Sequence, residues 1–567
     1  MKYSFHVDNN KYTTCWLKSN DSESIRLKQS VYRFFEGDYI EYNKDNGSMT
    51  LIQRNISKFI PGTILLSDKM YGRYNTSKYF FKFVPYNVKL PEFLIPYKPD
   101  VSFKKKKRNK YVIVKFSKWP TKSKHPYGTI TQSMGYVDLP EHTYEYLLTC
   151  YNVYTPIKTL KDIVRSKIKV KTIPEWYEYI KQRYNIIDRT KETTCVFSID
   201  PSGTKDIDDA CSITHINKSN IRLSIHIAHV PLWLDALEIW NEIKNNVSTV
   251  YLPHENKNML PEILSEELCS LKEGECKFAF TLDVYLNQNY EIIRQEWNNV
   301  CVYIQSNDTY ENVKREEYKK IFDIVRVMNN RHTYLSDGIH NSHEVVQYIM
   351  TYMNCEMAKQ CASRKFGIFR TMKINDNNKD IVNSVPLNIL SFMRIWNSPG
   401  GLYSMYTNKN HNLEHEYIGT SEYMHVTSPI RRLVDIINIS LYLCHIHFFK
   451  SEVQQLLNIW YNEDSIQYIN TKAKQIRRLQ NECEIIHRTQ KDLSILDKFY
   501  NGYVIEIIEK QQHIQYNIYI PELRITHYIE YEKGFKGEFK LFGKYQWKIS
   551  YLEDEYKIRK RWLLTNM

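Results

Sequence analysis

No stretch of the 567 residues reaches the ~18 consecutive apolar side chains that a bilayer-spanning helix needs, so no membrane span is predicted. The N-terminus, Met1-Lys2-Tyr3-Ser4-Phe5-His6, lacks the apolar run of a secretory leader. An intracellular, cytoplasmic chain is expected, a nuclear or viral setting being consistent with the same features. The 11 cysteines fall singly, with no CxxC pair. That pattern fits free thiols in a reducing compartment and argues against a structural zinc site. No internal repeat or low-complexity tract is present.

What the sequence does have is positive charge, carried by 78 Lys and Arg against 64 Asp and Glu, a net of +14. A basic balance favours a polyanionic partner, because each phosphate neutralised releases condensed counterions. Aromatic residues make up 14% of the chain and offer surface for base stacking, although most such rings fill cores. At roughly 150 residues per domain the length predicts three to five domains, and the 42% hydrophobic content gives each a core.

Short strand-like runs with turn signals fill residues 1–56, among them Phe35-Glu36-Gly37-Asp38-Tyr39-Ile40-Glu41-Tyr42 ahead of Asn46-Gly47, a hairpin pattern. Residues 57–155 read likewise: Tyr111-Val112-Ile113-Val114-Lys115-Phe116 is a strand, followed by a loop through Trp119-Pro120 and Pro126-Tyr127-Gly128. Small β-barrels are expected in both. The basic run Lys104-Lys105-Lys106-Lys107-Arg108 reads as a solvated loop or a phosphate contact. Residues 156–190 are expected to form a helical connector. From 191 to 497 strands alternate with helices, the longest predicted over 344–365, 431–447 and 466–491. Residues 498–567 return to period-two strands, as in Gly502-Tyr503-Val504-Ile505-Glu506-Ile507 and Tyr516-Asn517-Ile518-Tyr519-Ile520.

The most informative segment is Phe197-Ser198-Ile199-Asp200-Pro201-Ser202-Gly203-Thr204-Lys205-Asp206-Ile207-Asp208-Asp209-Ala210. It follows a strand-like run, and Pro201-Ser202-Gly203 predicts a tight turn that folds Asp200 back toward Asp206, Asp208 and Asp209. Carboxylates so close repel one another unless a cation offsets them. Their hard oxygens suit Mg²⁺, which keeps several waters and shares phosphate oxygens with a substrate. Two such ions ~4 Å apart could clamp a phosphodiester and activate a water. A calcium loop is excluded, since no Glu stands at its twelfth position; a solvated acidic loop is the bland alternative.

From Ile199 to Ala210 the chain resembles the signature of the RNase II/RNB nuclease family, Asp-Pro, a short turn, then Lys-Asp-Ile-Asp-Asp-Ala. Further blocks resemble the family in its order. They are Ser248-Thr249-Val250-Tyr251-Leu252-Pro253, Met259-Leu260-Pro261, Leu264-Ser265, Leu268-Cys269-Ser270-Leu271, Ser306-Asn307-Asp308-Thr309-Tyr310-Glu311-Asn312-Val313 and Tyr423-Met424-His425-Val426-Thr427-Ser428-Pro429-Ile430-Arg431-Arg432. The region of Trp119-Pro120 and Pro126-Tyr127-Gly128 is more similar to the second cold-shock domain of the eukaryotic exosome's catalytic subunit than to that of bacterial enzymes; room for that subunit's endonuclease domain is lacking. Gly502-Tyr503-Val504 with Ile520-Pro521-Glu522-Leu523 looks like a final OB-fold domain.

The resemblance implies a multidomain α+β chain. Two N-terminal OB-type (cold-shock) β-barrels are expected at 1–56 and 57–155, the connector at 156–190, an α+β RNB catalytic domain at 191–497 and a C-terminal OB-type β-barrel at 498–567. It implies an Mg²⁺-dependent 3′-to-5′ exoribonuclease with two ions, Mn²⁺ being an alternative, that degrades single-stranded RNA to nucleoside 5′-monophosphates, as a monomer. Asp200, Asp206, Asp208 and Asp209 match the metal-site aspartates, with Asp208 also catalytic. Tyr251 matches the tyrosine that stacks near the 3′-terminal nucleotide and Tyr310 the one that packs further along. Arg431 matches the arginine at the scissile phosphate, with Arg432 beside it on the RNA. A planar guanidinium independently suits that role, since it answers phosphoryl charge with two donors at once. Thr427-Ser428-Pro429 reads as a helix start, Ser428 as N-cap and Pro429 at the first position, which would put both arginines at a positive helix end.

Several positions depart from the family pattern. His229 stands where an Asp is usual, Asn246 for an arginine, Gln347-Tyr348 for a Glu-Glu pair tied to ribose selection, Leu433 for a Tyr and Ile439-Ser440 for a His-Arg pair. None touches the four aspartates or Arg431. His226, His229 and His425 read as packed or hydrogen-bonded residues. The competing readings are an inactive RNA-binding scaffold, a single-stranded DNA nuclease and an RNA chaperone that needs no metal.

Overall fold

The computed structural model describes residues 2–19, 24–27, 33–98, 107–243, 246–336, 338–373, 392, 401–407, 413–496, 498–510, 513–533, 539–553 and 560–566. Lys104, Lys105 and Lys106 of the basic run lie outside them. The chain divides into two compact units, one of residues 1–152, 252–254 and 479–567, the other of 153–251 and 255–478.

The first unit opens with a five-stranded sheet, β1 (Lys2–Val7), β2 (Cys15–Lys18), β3 (Ser24–Leu27), β4 (Tyr39–Tyr42) and β5 (Met49–Gln53), in the order β3-β2-β1-β4-β5. Period two sets its core face: Tyr3, Phe5 and Val7 are buried along β1 while their neighbours are not. A second set, β6 (Ile60–Ile64), β7 (Tyr79–Pro85), β8 (Phe93–Tyr97), β9 (Lys110–Lys118) and β10 (Tyr127–Tyr136), repeats the order and closes into a barrel, because β10 also pairs in parallel with β8 at Tyr127 and Leu94. Gly62 of β6 makes room for closure: a Cβ there would lie 2.4 Å from the Phe83 ring. Trp119 packs between the two sets, with ring centroids 5.1 Å from Phe35 and 6.4 Å from Tyr12. α1 (Pro140–Tyr151) follows the barrel.

The second unit begins with α2 (Lys158–Ile168) and α3 (Ile173–Tyr184), the latter started by a Thr172–Glu175 capping box. Its centre is a seven-stranded sheet of β11 (Ile187–Asp188), β12 (Val196–Asp200), β13 (Asp209–His215), β14 (Ile221–Ala228), β17 (Cys276–Leu286), β18 (Ile292–Tyr303) and β19 (Ser306–Thr309), ordered β11-β18-β17-β14-β13-β12-β19. α4 (Val230–Ala236) follows β14, and β15 (Val250–Tyr251) pairs with β16 (Asn256–Lys257). β14 is buried from Arg222 to Ala228, as expected of a central strand covered on both faces. Inside the sheet Asp283 accepts two bonds from Arg189 (3.0 and 2.6 Å), one from Ser224 (2.6 Å) and one from Asn298 (2.8 Å). α5 (Glu316–Arg331) and α6 (Ser342–Ser363) come next, then the hairpin β20 (Ile368–Thr371) and β21 (Leu402–Met405). α7 (Leu433–His445) is buried on every side from Leu433 to Cys444 and is the unit's central helix.

α8 (Ser451–Leu457) and α9 (Glu463–Lys491) precede the last sheet, β22 (Phe499–Glu509), β23 (His513–Ile520), β24 (Ile525–Glu532), β25 (Lys544–Glu553) and β26 (Lys560–Asn566), ordered β24-β23-β22-β25-β26. Its order is that of the first two sets, the arrangement of a partly open OB-type barrel. Among the described residues no helix is long and apolar enough to cross a membrane.

Candidate active site

The aspartate segment forms the crossing from β12 to β13. Asp200 ends β12 and Asp209 begins β13. Between them Thr204 donates back to the Pro201 carbonyl at 3.2 Å, and Gly203 takes a positive φ of 83°, which side chains with a Cβ resist. Ser270, in the Cys269-Ser270-Leu271 block, clamps the loop: its hydroxyl accepts from the Ile207 N–H (3.0 Å) and donates to the Lys205 carbonyl (2.8 Å). β12 pairs in parallel with β19, Asp200 opposite Thr309, so Tyr310 emerges next to the aspartates.

A second element arrives from the far end of the unit. The Asp208 carboxylate accepts the Ile430 N–H at 2.8 Å and the Arg431 Nε–H at 3.1 Å. Arg431 also donates through Nη2 to Ser428 Oγ at 2.9 Å. The Thr249 N–H donates to the Arg431 carbonyl, and Ser248 bridges to Arg432, so the segment leading to Tyr251 is laced to the arginines. Asn354 of α6 holds the same loop, donating to the Tyr423 hydroxyl and Thr427 Oγ1 and accepting from the Val426 N–H.

The helix start expected at Ser428 and Pro429 is corrected by the structure: α7 begins at Leu433, and Arg432 is its extended N-cap residue. Residues 428–431 instead make a turn, in which the Ser428 carbonyl accepts from the Arg431 and Arg432 N–H groups. The reason is that the backbone there pairs elsewhere: the Leu433 N–H, which a helix from Pro429 would turn to the Pro429 carbonyl, donates to Val247, and the Arg431 carbonyl accepts from Thr249, while Asp435 of α7 accepts both the Ser428 N–H (2.8 Å) and the Arg432 guanidinium (2.9 Å).

Asp200, Asp206, Asp208, Asp209, Tyr251, Tyr310, Arg431 and Arg432 all line one cavity of about 1340 Å³. Tyr251 is 37% exposed, unlike a core strand aromatic. Burial pushes the carboxyls up from their ordinary range. Asp200 rises to about 6 from burial and the nearby Asp206, and Asp208 to about 7 from burial that Arg431 and the Ile430 N–H only partly offset. Asp209 is raised well above the usual value by burial and by Asp200 and Asp208, and Asp206 is raised by burial. Asp200 Oδ2 is buried and accepts no hydrogen bond among the described residues. Among the described residues no three of these aspartates each bring an oxygen within 4.8 Å of the others. Mg²⁺ tolerates that spacing, since it is held by one or two carboxylates with waters and substrate phosphates rather than by an all-protein cage.

The motif reading overlooked further lining residues, notably Glu262, Glu266, Tyr334 and Glu416. Glu266 rides on the wide helical turn Ile263–Leu268, directly after the quoted Met259-Leu260-Pro261 block, and that adjacency was the available signal. Of the departing pair, exposed Gln347 lines the cavity, whereas Tyr348 is buried against Tyr334 and Tyr352. The histidines carry hydrogen bonds. His226 bonds Thr281 and Ser212, His229 bonds Asn299 and caps α4, and His425 bonds the Tyr403 hydroxyl.

Residues 189–344 match the model of the RNB domain, and residues 80–152 match the Dis3-like cold-shock domain 2. The chain is 30% identical over 202 residues to the mouse exosome complex exonuclease RRP44, a match covering 35% of this chain and 20% of that protein. It is 30% identical over 222 residues to ribonuclease R of Aquifex aeolicus, covering 39% and 28%. The matched part thus spans 20% to 28% of the length of these curated relatives. In structure it is similar to Mycoplasma genitalium RNase R in complex with ribose-methylated single-stranded RNA, at a TM-score of 0.70 and 15% identity over 100% of both chains. It is also similar to yeast Ssd1, a pseudonuclease, at a TM-score of 0.58 and 14% identity over 94% of this chain and 80% of that one. The chain therefore carries an RNB domain together with cold-shock, OB-type domains.

Proposed function

We propose that this RNB chain is a metal-dependent exoribonuclease that shortens single-stranded RNA from its 3′ end, acts as a monomer and releases nucleoside 5′-monophosphates. The carrying observation is the cavity itself, where four aspartates face Arg431, Tyr251 and Tyr310. The exonuclease names of its relatives and the RNA-bound RNase R of similar fold support the reading.

The donor set fits a divalent cation: the sites are all carboxylate, their pKa values are raised by burial, and Asp200 Oδ2 has no hydrogen-bond partner among the described residues. Asp200, Asp206, Asp208 and Asp209 would hold Mg²⁺ or Mn²⁺, in two ions on this reading. When bound, the metal lowers the pKa of a water and offsets charge on the phosphoryl oxygens.

The chain's own residues do the remainder. Arg431 has Nε committed to Asp208 and Nη2 to Ser428, which fixes its plane at the cavity beside Tyr251, where the guanidinium would meet a phosphate. Tyr251, partly exposed at the cavity, stacks on the terminal base. Tyr310 packs against the adjoining part of the strand. Arg432 is tied to Asp435 and holds the turn that carries Arg431, adding positive charge toward the RNA. Backbone and stacking contacts carry little base information, so degradation is sequence-tolerant.

A second reading, an inactive RNA-binding scaffold, is favoured by the Arg431 guanidinium already lying on Asp208 as its cationic partner and by the fold shared with a pseudonuclease. One assay separates the two. Incubating 5′-labelled single-stranded RNA with Mg²⁺ should give progressive 3′ shortening, abolished by EDTA and by Asp208→Asn, with a matched DNA strand testing sugar choice at Gln347. Tight binding without shortening selects the scaffold.

A further inference from the structure

Tyr310 is not a free ring at the cavity wall. The His343 imidazole lies flat against it, ring centroids 3.7 Å apart and planes 11° from parallel. The Tyr310 carbonyl accepts from Ser342 Oγ at 2.7 Å. Consecutive residues at the start of α6 therefore grip the tyrosine, one at its backbone and one at its ring. That turn is stiff: Asn341 caps it, accepting from the Glu344 N–H at 3.1 Å, and Glu344 reaches back to the Asn341 N–H.

His343 itself is exposed and does not line the cavity. Among the described residues its ring nitrogens have no hydrogen-bond partner, so its packing on Tyr310 is not incidental to a polar role. Further along α6, Gln347, Met350, Thr351 and Asn354 do line the cavity. Asp200 and Asp209 act on the Tyr310 phenol, so the supported ring stands beside the carboxylates.

We infer that His343 is a positioning residue that backs Tyr310, making a three-layer stack of imidazole, phenol and a nucleobase near the 3′ end of the strand. This rests on the reading of the cavity as an RNA site. Offset-stacked rings attract beyond the area they bury, and a ring held on one face gives up little freedom when a base takes the other. A pyrimidine or purine fits the outer layer equally, since every base has a π-face.

The test uses full-length wild type, His343→Ala and His343→Phe with two RNAs, one complete and one whose last two nucleotides lack bases. Equilibrium binding is measured in EDTA and shortening in Mg²⁺. The expected result is that His343→Ala raises Kd and KM for the complete RNA about three- to ten-fold, with kcat changed less than about two-fold. The abasic RNA should be insensitive, and His343→Phe should restore both constants. Equal weakening toward both RNAs, no weakening, or failure of Phe to rescue overturns the inference. Wild type that binds without shortening removes the exonuclease reading while the Kd comparison still decides the stack; wild type that does not bind RNA removes both.

Discussion

Two buried aspartates of the second unit, Asp283 and Asp208, each bond an arginine, and they differ in how many donors each carboxylate finds. Asp283, fully buried in the sheet, accepts two bonds from Arg189 and one each from Ser224 and Asn298. Its pKa is lowered, the donors outweighing burial. Asp208, 4% exposed at the cavity, accepts one N–H from Ile430 and one from Arg431, and its pKa rises to about 7. The same residue types thus make a closed structural pair in one place and an under-satisfied one in the other. A carboxylate left short of donors in a cavity has capacity for a cation, whereas one with four donors does not.

The largest effect expected from breaking this contrast is on rate. Asp208→Asn should lower RNA shortening by about 10³-fold or more while leaving the urea midpoint close to wild type, because the amide keeps the shape and removes a charge that burial disfavours. Asp283→Ala should do the converse, destabilising the fold by about 3–5 kcal/mol by stranding Arg189, with the rate per folded molecule retained. Denaturant unfolding paired with active-fraction kinetics checks both; a destabilised Asp208→Asn, or an inactive but stable Asp283→Ala, would erase the distinction.

A smaller effect follows from pH. Carboxyls whose folded values are raised, Asp200 to about 6 and Asp208 to about 7, contribute stability that is fully present below the unfolded value of ~3.9 and lost as pH rises through 6 to 7. Asp283, lowered, contributes stability present above ~3.9 and lost as pH falls through its folded value. In EDTA the melting temperature should therefore decline from pH 5 to 8, and added Mg²⁺ should raise it more at pH 8 than at pH 5. A metal-induced shift independent of pH would count against the aspartates as its site.

Much of this was legible in the chain. The Asp200–Asp209 segment and the Tyr251 block announced the RNB domain that the family model matches over 189–344, and the Tyr111–Phe116 run announced a strand of the closed barrel. Less visible was the work of residues outside those segments: Ser270 clamping the aspartate loop, Asn354 holding the Val426–Thr427 segment, His343 stacked on Tyr310. Local spacing misled at Ser428-Pro429, where helix-start chemistry lost to the long-range backbone pairing of Arg431 and Leu433 with Thr249 and Val247.

By itself the sequence marked the candidate residues and most of the strands and helices around them, because motif spacing and hydrophobic period are local quantities. Only the tertiary structure decided which of two buried aspartates is closed and which stays open. That choice depends on donors delivered from 222 positions away, Ile430 to Asp208, or from 94 positions away, Arg189 to Asp283, and no local pattern encodes such a meeting.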